Sequence, residues 1–376
     1  MSFSADAPAV VGIIGAGNIA RRYVEGISRF PQLSIIGCAD LVQELSDSLA
    51  SEAGITSYTS IEQLLADPAI DIVVNITPPV AHASVSTMAL AAGKHVYVEK
   101  PIAATLADSA DMVAAAERHG RLLGSAPDTF LGSAGQTVRA AIDAGVIGEP
   151  IGAVAFIVHS QAETWHPDPS FLFRPGGGPA LDLGPYYITT LVNSLGPIAS
   201  VAGFTRIGAP VRTVTAPDRR VDSIEVTTPT HVAATLRFAS GVLATVMMSF
   251  DVWDAHLPKI EIYGELGSLT VPDPNEFDGD VTVRLHGEDG WTSLDPVIKP
   301  TGEAGTAVQL LRGIGVADLA AAVDGAPHRA SAALASHVLE VLEAIQLSSD
   351  TNTVVAIDSR VERPAPQEGT VAFNAR

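Results

Sequence analysis

Residues 9–20 read AVVGIIGAGNIA, and the fold is decided in that stretch. Ala9 to Ile14 is a continuous apolar run of strand length. Gly15-Ala16-Gly17-Asn18-Ile19-Ala20 is a glycine turn, and Arg21 to Phe30 carries apolar residues at helical spacing. Strand, turn and helix in this order spell G-x-G-x-x-A. Gly15 suits the tight turn, Gly17 lets backbone approach a pyrophosphate, and the small Ala20 lets helix meet strand. A glycine turn with no ligand has the same local sequence, but the context narrows the choice. A second apolar run, Leu33 to Ala39, stops at Asp40, where a carboxylate accepts hydrogen bonds from adenosine ribose hydroxyls. A carboxylate there repels a 2′-phosphate, and the next residue, Leu41, brings no cation. The pattern therefore favours NAD over NADP.

Outward from this stretch the grammar repeats. Leu41 to Ala53 reads as a helix, Asp71 to Ile76 and His95 to Val98 as strands with the alanine-rich Ala81 to Ala92 between them, and Thr105 to His119 as a helix leading into Arg121 to Ala126. Such alternation predicts an α/β fold with a Rossmann-type doubly wound parallel sheet. After Pro127 the pattern changes. A helix over Gly135 to Ala144 precedes strand-like runs at Ile151 to Ser160, His231 to Phe238, Val242 to Phe250, Lys259 to Tyr263 and Val281 to His286. These predict a second, α+β domain with a large, mainly antiparallel open sheet. Two late helices, Ala307 to Val323 and Ser331 to Leu347, either cover that sheet or return to the first domain. Pro210 to Val221 and Pro272 to Asp280 read as surface loops. The expected division is 1–126 for the dinucleotide, 127–363 for substrate and assembly, and 364–376 as a polar tail that frays.

Composition limits the partners. The 376 residues are 47% hydrophobic and 17% charged, less charged than the roughly 25% of average soluble domains, which excludes general disorder. Forty-two acidic against 22 basic residues give a formal net charge of −20, a surface that repels nucleic acid and anionic membranes. The single cysteine, Cys38, permits no intrachain disulfide. No signal peptide or spanning helix is legible near the N-terminus, so the expectation is a soluble cytoplasmic protein. The ten histidines lack ligand spacing, and no metal site is expected.

Several constellations carry chemistry. Asn75-Ile76-Thr77-Pro78-Pro79 closes a strand at the sheet's carboxyl edge, with His82 in the same turn. Thr77, Pro78 and His82 are candidates for cofactor contact, and a plain helix cap at Thr77 is the competing reading. Glu99-Lys100-Pro101 follows the strand His95 to Val98. Lysine is scarce, at Lys94, Lys100, Lys259 and Lys299 only, and one at a strand's carboxyl end can polarise a substrate oxygen; a surface ion pair with Glu99 is the bland alternative. The stretch GGGPALDLGPYY, residues 176–187, puts Asp182 and Tyr186 four apart, on one face of a predicted helix. They would supply a substrate binder and a proton carrier, unless Asp182 merely caps the helix. Trp165 and His166, on a loop, suit stacking on and hydrogen bonding to a sugar, or simple aromatic packing.

Taken together, these features resemble the glucose-fructose oxidoreductase and inositol dehydrogenase family (Gfo/Idh/MocA) over nearly the whole chain. The resemblance lies in GIIGAGNIA, NITPPVAHA, Val98-Glu99-Lys100-Pro101, GGGPALDLGPYY, Arg312-Gly313, and Pro327 to Ser331 followed by HVLEVLEAI. It implies hydride transfer between a nicotinamide and a carbinol carbon of a sugar or polyol, and dimers or tetramers formed through the second domain's sheet. Lys100, Asp182 and Tyr186 would be catalytic, with Tyr187 able to replace Tyr186. The cofactor would touch Gly15, Gly17, Asn18, Ile19, Asp40, Thr77, Pro78, His82, Glu99 and Lys100. Substrate would meet Lys100, Asp128, Trp165, His166, Asp182 and Tyr186. Inositol-dehydrogenase-like members carry a histidine where Tyr186 stands. A free phenol has a pKa near 10, so Tyr186 needs a nearby cation, and Lys100 is the candidate. Many relatives have a basic motif where Ala126 to Phe130 stands, so a neutral polyhydroxylated substrate is favoured. The resemblance leaves open a glycosidase that recycles its NAD, and a non-catalytic dinucleotide sensor, against which the retained Lys100, Asp182 and Tyr186 argue.

Overall fold

A computed structural model describes residues 3–298 and 312–367. Its first sheet is wholly parallel. Strands β1 (Ala9–Ile14), β2 (Leu33–Ala39), β3 (Thr56–Ser57), β4 (Ile72–Asn75), β5 (His95–Val98) and β6 (Leu123–Ser125) lie in the order β3-β2-β1-β4-β5-β6. Helices α1 (Ala20–Ile27), α2 (Gln43–Ala53), α3 (Ile61–Ala66), α4 (Pro79–Ala91) and α5 (Leu106–His119) make the crossovers. Val11, Ile13 and Ile14 of β1 and Ile72, Val73 and Val74 of β4 are fully buried, as a sheet covered on both faces requires. Side-chain hydroxyls of Ser60 and Thr105 accept the Gln63 and Asp108 backbone N–H groups and start α3 and α5; such a cap contributes about 1 kcal/mol. The order of connection reverses between β1 and β4, so the carboxyl ends of those strands flank a crevice.

The second sheet has nine strands. After α6 (Ser133–Asp143) come β7 (Pro150–Val158), three helices, α7 (Ala162–Trp165), α8 (Gly178–Asp182) and α9 (Gly184–Leu195), and then β8 (Ile198–Arg206). A small hairpin, β9 (Val211–Thr213) with β10 (Ser223–Glu225), stands apart. Strands β11 (His231–Phe238), β12 (Leu243–Ser249), β13 (Ile260–Gly264), β14 (Gly267–Val271), β15 (Thr282–Leu285) and β16 (Thr292–Ser293) follow, then α10 (Ile314–Val323), α11 (Ala332–Thr351) and β17 (Val355–Ala356). The order is β16-β15-β14-β13-β7-β12-β11-β8-β17, antiparallel except for β7 beside β12.

Register shows what each face does. One row, Val201, Leu236, Ala244, Ala153, Ile262, Leu269 and Val283, crosses seven strands and every member is buried, forming the floor under α9 and α11. The opposite face carries a row of Phe204, Ala233, Met247 and Phe156, in which Phe204 is 67% exposed.

The late helices do both things the sequence allowed. Helix α11 packs on β8 and α9, and its N-terminal Ser331 bridges Gly124 of β6; α10 packs on β6 and α1. The expected helix from Ala307 begins at Ile314 among the described residues, and 299–311 lie outside them. Strands β8 and β14 were not legible, and Pro210 to Val221 holds β9 rather than pure loop. Pro364 to Gln367, expected to fray, is held instead: the Gln367 N–H donates to Gln136 Oε1 at 2.7 Å and Arg329 Nη2 to the Pro366 carbonyl at 3.1 Å. The remainder of that tail, 368–376, lies outside the described residues.

Candidate active site

Gly15 directly follows β1 with φ +103°, and a Cβ there would sit 2.8 Å from the Ile76 backbone, so both conformation and space demand glycine. Gly17 differs. It is exposed, its φ lies outside the left-handed region, and among the described residues a Cβ on it would meet nothing within 4 Å. Protein packing does not explain that glycine, whereas a pyrophosphate lying against the backbone would. Helix α1 starts beside it with Ile19 at the cap position, no side-chain cap and no acidic residue in its first turn, which leaves a dipole end suited to an anion. These features fit a dinucleotide.

Asp40 stands at the end of β2. Its Oδ2 accepts the Ala16 N–H at 2.7 Å and its Oδ1 the Val42 N–H at 2.8 Å, so the carboxylate is aimed at the glycine turn, and each oxygen keeps lone-pair capacity for a ribose hydroxyl. Leu41, 93% exposed, places an apolar surface beside it.

The next turn is organised by buried polar groups. Asn75 donates to the His82 carbonyl at 3.1 Å and to Ser86 Oγ at 3.0 Å, and Thr77 Oγ1 donates to Asn75 Oδ1 at 2.7 Å. Pro78, not Thr77, occupies the cap position of α4. His82 corrects an expectation. It is fully buried, with Nδ1 2.8 Å from the Pro101 carbonyl and Nε2 2.8 Å from the Thr77 carbonyl. The ring is wedged between the Thr77 turn and the Lys100-Pro101 turn with each nitrogen against a carbonyl, one of which a neutral imidazole can donate to, so neither nitrogen faces a cofactor. Burial holds this imidazole below its ordinary pKa, against the pull of the two carbonyls.

Lys100, Asp182 and Tyr186 come together across more than 80 residues of sequence. Lys100 Nζ donates to the Asp182 carbonyl at 2.6 Å and to Asp182 Oδ1 at 3.0 Å, and lies 5.4 Å from the centroid of the Tyr186 ring. The alternative reading, a surface ion pair between this ammonium and Glu99, does not hold: the ammonium pairs with Asp182. The helix expected to carry both Asp182 and Tyr186 is two helices. Pro185 lacks the N–H that a continuous helix needs and sits in the first turn of α9, so the chain breaks at Leu183 and Asp182 ends α8. Burial pushes the Lys100 ammonium down, but Tyr186, Asp182 and Glu99 outweigh it and hold the pKa above the ordinary lysine value. Burial also dominates at Tyr186 and raises its phenol; Lys100 and then Arg312 oppose it without reversing it. Lys100 therefore moderates the phenol rather than ionising it at neutral pH, and Arg312 is a second cation that the motif did not reveal.

Glu99 and Asp128 also depart from expectation. Glu99 is buried: Oε1 accepts Tyr23 Oη–H at 2.8 Å and Arg312 Nη1–H at 3.2 Å, and Oε2 accepts the Lys100 N–H at 2.8 Å. It braces the lysine turn from behind and offers nothing to a cofactor. Asp128 is 1% exposed, and its Oδ2 accepts the Gly313 N–H at 3.0 Å and the Gly315 N–H at 2.9 Å. It caps α10 and cannot reach substrate. Trp165 and His166 form an edge-to-face cluster with Phe171, with centroids 5.5 and 5.4 Å apart; Trp165 is 58% and Phe171 60% exposed, so these rings are not buried packing. Tyr187 is buried, and burial followed by Asp273 raises its phenol far above the ordinary value, which makes it a poor stand-in for Tyr186.

Residues 10–126 match the family model described as oxidoreductase family, NAD-binding Rossmann fold, and residues 136–270 match the GFO/IDH/MocA C-terminal domain. The chain belongs to the Gfo/Idh/MocA oxidoreductase family. Among curated relatives, 1,5-anhydro-D-fructose reductase of Ensifer adhaerens is 38% identical over 183 residues, 48% of this chain and 54% of the relative. The chain thus spans about half the length of that relative. Two solved structures share the fold: an NAD binding oxidoreductase from Klebsiella pneumoniae, with TM-score 0.80 at 24% identity over 93% of this chain and 99% of that one, and levoglucosan dehydrogenase in complex with NADH, with TM-score 0.81 at 21% identity over 94% of this chain and 100% of that one.

For this family member the glycine turn gives a clean test. Gly17→Ala is expected to leave the thermal midpoint unchanged, since its methyl meets open space. It is expected to weaken NAD binding by roughly tenfold or more, because displacing an anion from one charge-assisted N–H costs about 1.5–3 kcal/mol. Calorimetric titration beside a melting curve measures both.

Proposed function

We propose that the protein is an NAD-dependent dehydrogenase or reductase acting on a carbinol carbon of a neutral sugar, polyol or related compound. The observation that carries this reading is the meeting of Lys100, Asp182 and Tyr186 beyond the carboxyl end of β5, in a sheet whose glycine turn is open for a dinucleotide. Residues 1–126 hold the cofactor and 127–363 the substrate. The carboxylate of Asp40 and the apolar Leu41 favour NAD, since neither offers a partner to a 2′-phosphate.

When bound, a nicotinamide supplies the hydride acceptor. Lys100 donates to the reacting oxygen and stabilises alkoxide charge as the C–H bond breaks. Asp182 uses Oδ1 on Lys100 and has Oδ2 for a neighbouring hydroxyl. Tyr186 exchanges the hydroxyl proton: its phenolate takes it during oxidation, and its phenol returns it during reduction. The exposed Trp165 ring is a stacking surface for a sugar. The partly apolar face of the nine-stranded sheet, with Phe204, Ala233, Met247 and Phe156 in one row, is the surface on which a second copy packs in a homodimer or homotetramer.

Direction and pH follow from Tyr186. Its pKa is raised, so the phenol is protonated at neutral pH and deprotonates only as pH rises through the alkaline range. Reduction is expected to run fully below that pKa and to fall above it. Oxidation is expected to rise with pH over the same range. Initial rates of NADH formation and consumption with a panel of neutral sugars, between neutral pH and the alkaline limit of stability, test this. Profiles that do not oppose one another remove Tyr186 from proton transfer.

A further inference from the structure

We infer that Arg312 is a positioning residue for Lys100 and Tyr186, acting through Glu99, and that Asp128 is the anchor that holds Arg312 in place. The inference rests on the dehydrogenase reading above for its functional consequence, and on a continuous set of buried contacts for its geometry.

The contacts begin at Asp128, just past the last strand of the parallel sheet. Its Oδ2 accepts from Gly313 and Gly315, which fixes the backbone immediately after Arg312. On the other side that backbone presses against α1, where a Cβ on Gly26 would lie 1.8 Å from the Arg312 carbonyl oxygen. Held from both sides, the guanidinium lies 5.9 Å from the Tyr23 ring centroid and donates to Glu99 Oε1 at 3.2 Å, with both partners' side chains 11% exposed. Tyr23 donates to the same oxygen, and the second carboxylate oxygen accepts the Lys100 N–H. Glu99 therefore cannot turn without breaking three hydrogen bonds. The root of the lysine side chain is fixed, and from that root Lys100 spans to Asp182.

The charges make the arrangement more than a brace. They come as two linked ion pairs: Lys100, 5.4 Å from the Tyr186 ring centroid, with Asp182 at 3.0 Å, and Arg312 with Glu99 at 3.2 Å, where Glu99 also accepts the Lys100 N–H. On top of the burial that raises the phenol's pKa, the two cations draw it down and the two carboxylates push it up. Removing Arg312 leaves the carboxylates in excess around a buried phenol and makes phenolate harder to form. Such a role requires the positive charge, not the shape of the guanidinium alone.

The test uses the full chain labelled with 3-fluorotyrosine. Six tyrosines give six fluorine resonances, and the one lost in Tyr186→Phe is that of Tyr186. In Arg312→Met the titration midpoint of this resonance is expected to move upward, with turnover lowered roughly tenfold to a hundredfold, the scale of lost outer-shell partners. NAD affinity is expected to stay within about twofold, since Arg312 acts behind the lysine turn. Arg312→Lys, which keeps the charge, is expected to restore the midpoint and most of the turnover. If Arg312→Met does not fold, Arg312→Gln, which keeps a hydrogen bond to Glu99 without charge, carries the same comparison. An unshifted Tyr186 resonance with full turnover in a folded, uncharged variant overturns the inference. So does a loss that Arg312→Lys fails to rescue. If the wild type reduces no NAD with any sugar while the resonance still shifts, the dehydrogenase reading fails and the positioning role stands.

Discussion

Replacing Lys100 with methionine is expected to lower turnover by about 10³-fold or more while leaving NAD affinity nearly intact. Methionine is unbranched like lysine and only one heavy atom shorter, so it fills most of the same space without the charge. The alkoxide that develops as hydride leaves would then lose the only cationic donor among Lys100, Asp182 and Tyr186, with the neutral Tyr186 hydroxyl left to it. Asp182 would lose its partner at 3.0 Å. With its side chain 29% exposed, Asp182 keeps contact with water, so the fold is expected to tolerate the change better than it would tolerate an unpaired, fully buried carboxylate. The Lys100 ammonium is engaged by Asp182 and the Tyr186 ring, whereas Asp40 is bonded to the glycine turn, so cofactor binding is expected to be spared. Single-turnover hydride transfer beside a calorimetric NAD titration separates the two effects. Turnover within tenfold of wild type would remove Lys100 from the chemistry.

A second large effect is expected where no chemistry occurs. Gly26→Ala should improve α1 by intrinsic propensity, since glycine is about 1 kcal/mol worse than alanine in a helix interior. Contact overrules propensity here. The added methyl would lie 1.8 Å from the Arg312 carbonyl oxygen, and that backbone is held by Asp128 and cannot retreat freely. The variant is expected to lose about 1–3 kcal/mol of stability, the usual cost of overpacking a tight site, and to drop its thermal midpoint by several degrees. The contrast with Gly17→Ala, expected to leave stability unchanged, separates a glycine required by packing from one required by a ligand. A melting point at or above wild type for Gly26→Ala would show that Arg312 is not seated against α1.

The sequence made one kind of feature legible and concealed another. Gly15, Gly17 and Asp40 announce themselves because each belongs to a local unit: a strand, a turn and the next strand's end have a fixed relation wherever they occur. Lys100 was readable for a similar reason, lying at the end of a strand; Asp182 stood out by its place after three glycines and four residues before Tyr186, although the helix α8 that it ends was not legible. His82, Glu99 and Asp128 were placed one layer too close to the ligands. A polar residue beside a functional turn has the same one-dimensional signature whether it faces the cleft or braces the turn from behind, and only the partners decide. Arg312 was noticed as part of a late match and given no role. Its partner, Glu99, is more than 200 residues away, and no periodicity connects them. The break at Leu183 was available in principle, since Pro185 denies a continuous helix its N–H. Strands β8 and β14 were hidden by small and polar residues, among them Gly203 and Ser268, whose strand identity comes from neighbours in the sheet rather than from their own propensity.

The most direct measurement is a calorimetric titration of the purified protein with NAD and NADP, followed by a screen of neutral sugars and polyols for absorbance at the NADH band. Saturable NAD binding, weaker NADP binding, and formation of NADH with at least one neutral polyhydroxylated compound, abolished by Lys100→Met, are the expected results. Binding of neither nucleotide would contradict the central claim at the glycine turn; binding without hydride transfer to or from any such compound would contradict it at Lys100, Asp182 and Tyr186.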